Sequence, residues 1–220
     1  TKIHGFEWLP NKPNNETVLI AHGYASYAYK FEHYITPLLK MGYRVLAFDA
    51  PAHGKSSGKT TMMTEFITAA KFLETKMGPF EIGIGHSLGG MAILNGTKQG
   101  LQFKKIITIG SGDIITDIIT VFVKKLELNS KLVSKMKLYY HKKFNKNIDD
   151  YSGSVAALDI KIPALIVHDT EDNEVSVSCA HQIRQNLKQG ELFITNGFGH
   201  IRILKENTVI LKIIEFIKRD

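Results

Sequence analysis

The sequence has a single cysteine, Cys179, so it supports neither an intrachain disulfide framework nor a cysteine-rich zinc site. No apolar run is long enough to span a bilayer, and no membrane span is expected. Acidic residues are few: 21 Asp and Glu against 28 Lys and Arg leave a net charge of +7. Charged residues reach only 22% and hydrophobic residues 44%, a balance that excludes disordered and coiled-coil chains. The opening, Thr1 to Phe6, lacks the charged-then-apolar-then-small order of a signal peptide, so the expected setting is soluble and reducing, the cytoplasm. Folding 220 residues buries roughly 70% of the unfolded surface. That is enough for one large core with a small appended segment, not for two full domains. There is no internal repeat and no low-complexity tract.

The basic excess is uneven. Residues 114–150 hold eight Lys against four Asp or Glu, a net +4. This reads first as a solvated helix face. Nucleic acid is not an expected partner, because the arginines and interleaved aromatics of a base-stacking surface are lacking.

Short β-branched or apolar runs recur at 17–21, 43–48, 80–85, 104–109, 163–168 and 191–195. Between them lie segments with helical apolar spacing, at 31–41, 60–77, 88–99, 176–187 and 203–219. Runs that are apolar throughout, instead of alternating, suit strands covered on both faces. The fold class is therefore α/β, a mostly parallel sheet flanked by helices. Reactive groups in such sheets lie in loops past the carboxyl ends of strands, here at His22, Asp49, Ser87, Ser111, Asp169 and Gly197. The interval 113–158 breaks the rhythm, with helical spacing and no strand. It reads as a small helical cap inserted over those strand ends, between core segments 1–112 and 159–220.

Gly85-His86-Ser87-Leu88-Gly89 fits G-x-S-x-G. Chance alone yields such a string roughly 0.07 times in a chain of this composition, so its setting carries more weight: it follows an apolar strand and opens a helix. The glycines admit a turn so tight that the serine backbone is strained and Oγ projects clear of the sheet. Ser87 is the candidate nucleophile, and a hydroxyl needs a base to take its proton. Of the histidines, only His181 and His200 follow the last acidic loop. His181 lies within a helical stretch, whereas His200 ends a loop directly after a strand, which makes it the candidate base. The base needs an acid to fix its tautomer, and Asp169, Glu171 and Asp172 compete. Asp172 is preferred, since Asp169 is close enough to the strand end to cap the turn and Glu171 reads as solvated. Asp169 and Asp113 remain alternatives.

A developing oxyanion needs donors. The backbone N–H groups of Leu88, at the helix start, and of Tyr24, in the loop after the first run, are the candidates. The ring of His22 reads as a packed turn residue. In the cap, the spacing of Phe122, Leu126, Met136, Tyr139 and Tyr140 suits either packing onto the core or an apolar acyl pocket. Phe122, Met136, Tyr139 and Tyr140 are the candidate substrate contacts. Neither a metal nor a cofactor is expected.

These residues together resemble the α/β-hydrolase superfamily over about residues 18 to 216. The resemblance rests on His22-Gly23, on Asp49-Ala50-Pro51-Ala52-His53-Gly54-Lys55-Ser56, on the Ser87 motif, on the His168 to Val175 segment with Asp172, and on Gly197-Phe198-Gly199-His200. The order Ser, Asp, His is the one this fold uses. The resemblance implies a Ser87–Asp172–His200 triad, an oxyanion hole at Tyr24 and Leu88, and loops braced by Asp49 and His53. It implies a serine hydrolase cleaving a small-molecule carboxylic ester or related acyl compound through an acyl-enzyme on Ser87. A serine at 87 argues against branches with a carboxylate nucleophile. The short lead before residue 17 implies that one or two edge strands common in the superfamily are missing. His200 must be neutral to act, and with an ordinary value of about 6.5 activity is expected to favour basic pH. The competing expectation is a catalytically inactive fold serving as a binding or receptor module.

Overall fold

The structure, a computed structural model, describes residues 1–219. There are seven strands, β1 (His4–Trp8), β2 (Thr17–Ala21), β3 (Arg44–Asp49), β4 (Ile82–His86), β5 (Lys105–Ile109), β6 (Ala164–Asp169) and β7 (Gly190–Thr195), and helices separate every successive pair after β1–β2. They form one sheet in the order β1-β3-β2-β4-β5-β6-β7. All pairings are parallel except that of β1 with β3.

Successive strand residues point to opposite faces. Leu19 and Ala21 join a core under α2 (Met63–Met77), α3 (Leu88–Lys98), α6 (Gly153–Ala157) and α7 (Val177–Asn186). Val18 and Ile20 join a second core under α1 (Glu32–Lys40) and α9 (Asn207–Lys218). Every residue of β2, β4 and β6 is buried. With helices on both faces a central strand has no solvent side, which is why these runs carry no polar alternation.

Three sequence expectations need correction. The N-terminal lead supplies an edge strand after all: β1 pairs its five residues with β3, and its alternating exposure is that of a sheet edge. The second long helix starts at Met63 instead of residue 60, because Met62 is extended and its N–H donates to the Glu65 carboxylate at 2.8 Å. The last expected helix is split. α8 (Gly199–Arg202) and a 3₁₀ turn precede α9, with Glu206 extended between them.

The interval expected to form a cap contains α4 (Ile115–Lys125), α5 (Lys131–Phe144) and a 3₁₀ turn at Ile148–Tyr151. Residues 153–158 behave differently: Gly153, Ala156 and Ala157 of α6 are buried, and both alanines belong to the core shared by α3 and α7. The part that projects from the sheet is therefore shorter than 113–158 and ends near Ser152. Among the described residues no helix is long and apolar enough to cross a membrane.

Candidate active site

Ser87 sits between β4 and α3 with φ 51° and ψ −119°, a backbone conformation that is costly for a residue with a side chain. The local packing enforces it. A Cβ on Gly85 would press into the carbonyl of Gly89, and one on Gly89 into the carbonyl of Ala21, so strand and helix approach as closely as bare backbone allows. The Ser87 N–H is tied to the Ile109 carbonyl at 2.9 Å.

In the segments that follow β6 and β7, His200 Nδ1–H donates to Asp172 Oδ2 at 2.6 Å, with the two side chains 6% and 1% exposed. The proton on Nδ1 leaves the lone pair of the neutral ring on Nε2. Asp172 Oδ1 accepts from the N–H groups of Glu174 at 2.9 Å and Val175 at 2.8 Å. His168 lies with Nε2 3.3 Å from Asp172 Oδ2, and its Nε2–H donates to the Val175 carbonyl at 2.9 Å. Burial pushes the Asp172 carboxyl up, but the hydrogen bonds from His168, His200 and Val175 outweigh it and hold the group well below the usual carboxylate range.

The alternatives to Asp172 are engaged elsewhere. Asp169 accepts four hydrogen bonds, from the N–H groups of Glu171, Phe198 and Gly199 and from the Thr195 hydroxyl. Its carboxyl is lowered because these bonds outweigh the opposing effect of burial. It clamps the loop that carries His200. Asp113 is buried, and its Oδ1 accepts the Ser154 N–H at 2.7 Å, fixing the start of α6.

The residues that flank Ser87 in sequence and space contact His200. Ile109 holds the serine amide, and a Cβ on the next residue, Gly110, would lie 3.2 Å from His200 Nδ1. His86 Nε2–H donates to the His200 carbonyl at 2.9 Å, and the two rings lie 4.6 Å apart. No hydrogen bond joins Ser87 Oγ to His200 here; such contacts are often loose before substrate binds. Burial, aided by the nearby His200, lowers His86 to about 3 and keeps it neutral.

The N–H of Leu88 opens α3, and that of Tyr24 precedes Ala25, whose φ is 52°. Neither donates to another group among the described residues. The Tyr24 loop is braced from behind. Ala25 N–H donates to His53 Nε2 at 3.0 Å, and Ala50 N–H donates to His22 Nε2 at 2.9 Å. Burial lowers His22 to about 4. Asp49 accepts the N–H groups of Ala28 and Lys55, both at 2.9 Å. The packed role read for the ring of His22 and the bracing read for Asp49 and His53 match these contacts.

The cap contacts divide. Tyr140 is buried inside the cap, its ring 4.6 Å from Phe144 and 6.0 Å from Tyr151, which is a packing role and not the substrate contact expected of it. Phe122, Met136 and Tyr139 are exposed. Ile118 reaches the sheet: a Cβ on Gly112, just past β5, would lie 2.6 Å from its Cδ1. Sequence reasoning also passed over His86, His168 and Glu174, whose Oε2 lies 3.9 Å from His200 Nε2. Nothing in residue spacing marks them, except that His86 is the variable position of G-x-S-x-G. Among the described residues there is no cluster fit to hold a metal ion.

The strand order and the glycine-locked serine turn define the α/β-hydrolase class of fold. A family model described as "Alpha/beta hydrolase family" matches residues 18–128, just over half of the chain, and the chain belongs to that family. It is 31% identical over 104 residues to the "Uncharacterized hydrolase YugF" of Bacillus subtilis (strain 168), covering 45% of this chain and 38% of that protein. It is 30% identical over 91 residues to a monoacylglycerol lipase of Mycolicibacterium smegmatis, covering 38% and 32%. These matches thus span about a third of each relative's length. Among solved structures, a monoacylglycerol lipase of Paleococcus ferrophilus superposes with a TM-score of 0.76 at 18% identity, covering 99% of this chain and 98% of that one. An esterase from Exiguobacterium antarcticum gives 0.74 at 16% identity, with 99% and 96% covered. At such identities the likeness is one of fold.

Proposed function

We propose that the protein hydrolyses a carboxylic ester or related acyl compound through an acyl-enzyme on Ser87, with His200 as proton carrier and Asp172 as its orienting acid. The observation that carries this reading is the buried 2.6 Å bond between His200 and Asp172, beside a serine held at positive φ by close-packed glycines. The lipases and esterases among its relatives point the same way.

Ser87 Oγ attacks the carbonyl carbon as its proton passes to His200 Nε2. The carbonyl π pair moves onto oxygen, and the oxyanion takes hydrogen bonds from the N–H groups of Tyr24 and Leu88. Asp172 stabilises the imidazolium without itself being protonated. The intermediate collapses, the bond to the leaving oxygen breaks, and that oxygen takes the proton from Nε2. Water then attacks the acyl-enzyme, giving its proton to the same nitrogen. The second collapse frees the acid and returns the proton to Ser87. In this reading residues 113–152 form the cap. The acyl side of the substrate meets α4 at Ile118 and Phe122, with Met136 and Tyr139 on the second cap helix.

The test is hydrolysis of p-nitrophenyl esters of increasing acyl length by the protein and by Ser87→Ala. The variant should lose at least about 10³-fold in kcat with its melting temperature unchanged. Turnover retained by Ser87→Ala would sink the assignment.

A further inference from the structure

We propose that the cap hairpin, α4 with α5, is a docking face for an anionic lipid surface. The argument starts from what the hairpin fails to bury. Sixteen large apolar residues are exposed among the described residues, and eight of them lie between Ile118 and Tyr139. Within α4 and α5 only Val123 and Tyr140 are buried. Exposed apolar surface concentrated in this way marks an interaction site more often than chance.

Helix geometry shows that the excess is systematic. At roughly 100° per residue, Ile115, Ile119 and Val123 share one side of α4. That is the packed side: Val123 is buried, and Thr116 beside it hydrogen-bonds Asp149 through its N–H at 2.8 Å and its hydroxyl at 2.6 Å. Ile118, Val121 and Phe122 extend the apolar side beyond that contact to a width of roughly 200°, broken only by Lys125 in the last turn, about twice what a core-facing helix needs. Leu126 and Leu128 carry it into the turn between the helices, and all five residues are exposed.

Charge identifies the occupant. Lys124 and Lys125 close α4, and residues 114–150 hold eight lysines against four carboxylates. Of these lysines only Lys137 forms an ion pair among the described residues, with Asp149 at 3.6 Å. A second copy of the chain would bring two such faces together with the same sign of charge. An anionic bilayer accepts both halves of the pattern, apolar side chains into the headgroup boundary and lysines against the lipid phosphates. Ile118 ties this face to the strand ends at Gly112, so a docked hairpin carries the catalytic end of the sheet to the membrane.

The experiment is co-sedimentation of the full chain with vesicles of phosphatidylcholine alone and of phosphatidylcholine mixed with phosphatidylglycerol. Binding is expected on the mixed vesicles, weakening as salt rises, and little on the neutral ones. Lys124→Glu/Lys125→Glu should weaken binding more than about tenfold, and Val121→Ser/Leu128→Ser several-fold, both without change in melting temperature. Ser87→Ala should bind like the parent, so the result is independent of the proposed chemistry. Equal binding to both vesicle types, no binding at low salt, or lysine variants that bind like the parent would overturn the proposal. So would dimerisation through these residues, read by analytical ultracentrifugation.

Discussion

The turn at Ser87 follows β4 and the helical hairpin follows β5, its neighbour in the sheet, with Gly112 packed between Ile118 of the hairpin and Met91 of α3. At the turn, backbone presses on backbone at Gly85 and Gly89, and His200, Asp172 and Asp169 all have assigned partners. In the hairpin, two buried side chains anchor 25 helical residues. The contrast teaches where each kind of constraint resides. The turn is over-determined, so strain at Ser87 persists because its neighbours leave no alternative. The hairpin is under-determined, and its sequence is free to serve an outside partner.

Substitutions should separate the two regions most sharply by stability. Gly89→Ala drives a Cβ into the Ala21 carbonyl and should cost more than about 3 kcal/mol, measured by urea unfolding. A cost under about 1 kcal/mol would mean that the turn relaxes easily.

The buried histidines provide the next largest effect. His22 and His86 are held neutral by burial, down to about 4 and about 3, whereas in the unfolded chain they titrate near about 6.5. Between those values the unfolded state binds more protons, so stability falls as pH falls. From pH 8 to pH 5 the loss should be about 2 kcal/mol for each, on the order of 4 kcal/mol together. His86→Gln, which keeps a donor but does not titrate, should remove about half of it. Asp169 and Asp172 act in a separate window. Their lowered values add stability above the ordinary carboxylate range, and it is lost only below about pH 4. A stability profile flat from pH 8 to pH 5 would contradict the neutral histidines.

His168 allows a finer test. Its Nε2 shares Asp172 Oδ2 with His200 and draws charge from that oxygen. His168→Leu removes one of the donors that hold the Asp172 carboxyl low and should lower kcat/KM several-fold by loosening the support behind His200. His168→Gln, which restores a donor, should recover most of it. A kcat/KM unchanged in both variants would reduce His168 to packing. The smallest effect is expected in the cap, where Val121→Ser should change stability by less than about 0.5 kcal/mol.

Much of this layout was legible in the residues. Strands buried on both faces appear as unbroken apolar runs, and the Ser87 turn announces itself because only glycine fits on either side. β1 escaped notice because a five-residue edge strand, HGFEW, has one wet face and no apolar run. The choice among Asp169, Asp172 and Asp113 turned on hydrogen bonds from Phe198, Gly199 and Ser154, contacts distant in sequence. The cap showed a different gap. Helical spacing tells which residues share a face, as with Ile118 and Phe122, but not whether anything covers it.

The most direct test of the central claim is intact-mass and peptide analysis after exposure to a fluorophosphonate. One adduct on Ser87, absent from Ser87→Ala and slowed by His200→Ala, is the result predicted for a hydroxyl activated by the His200–Asp172 pair. An unreacted protein, or labelling that ignores His200, would contradict it and favour a binding module.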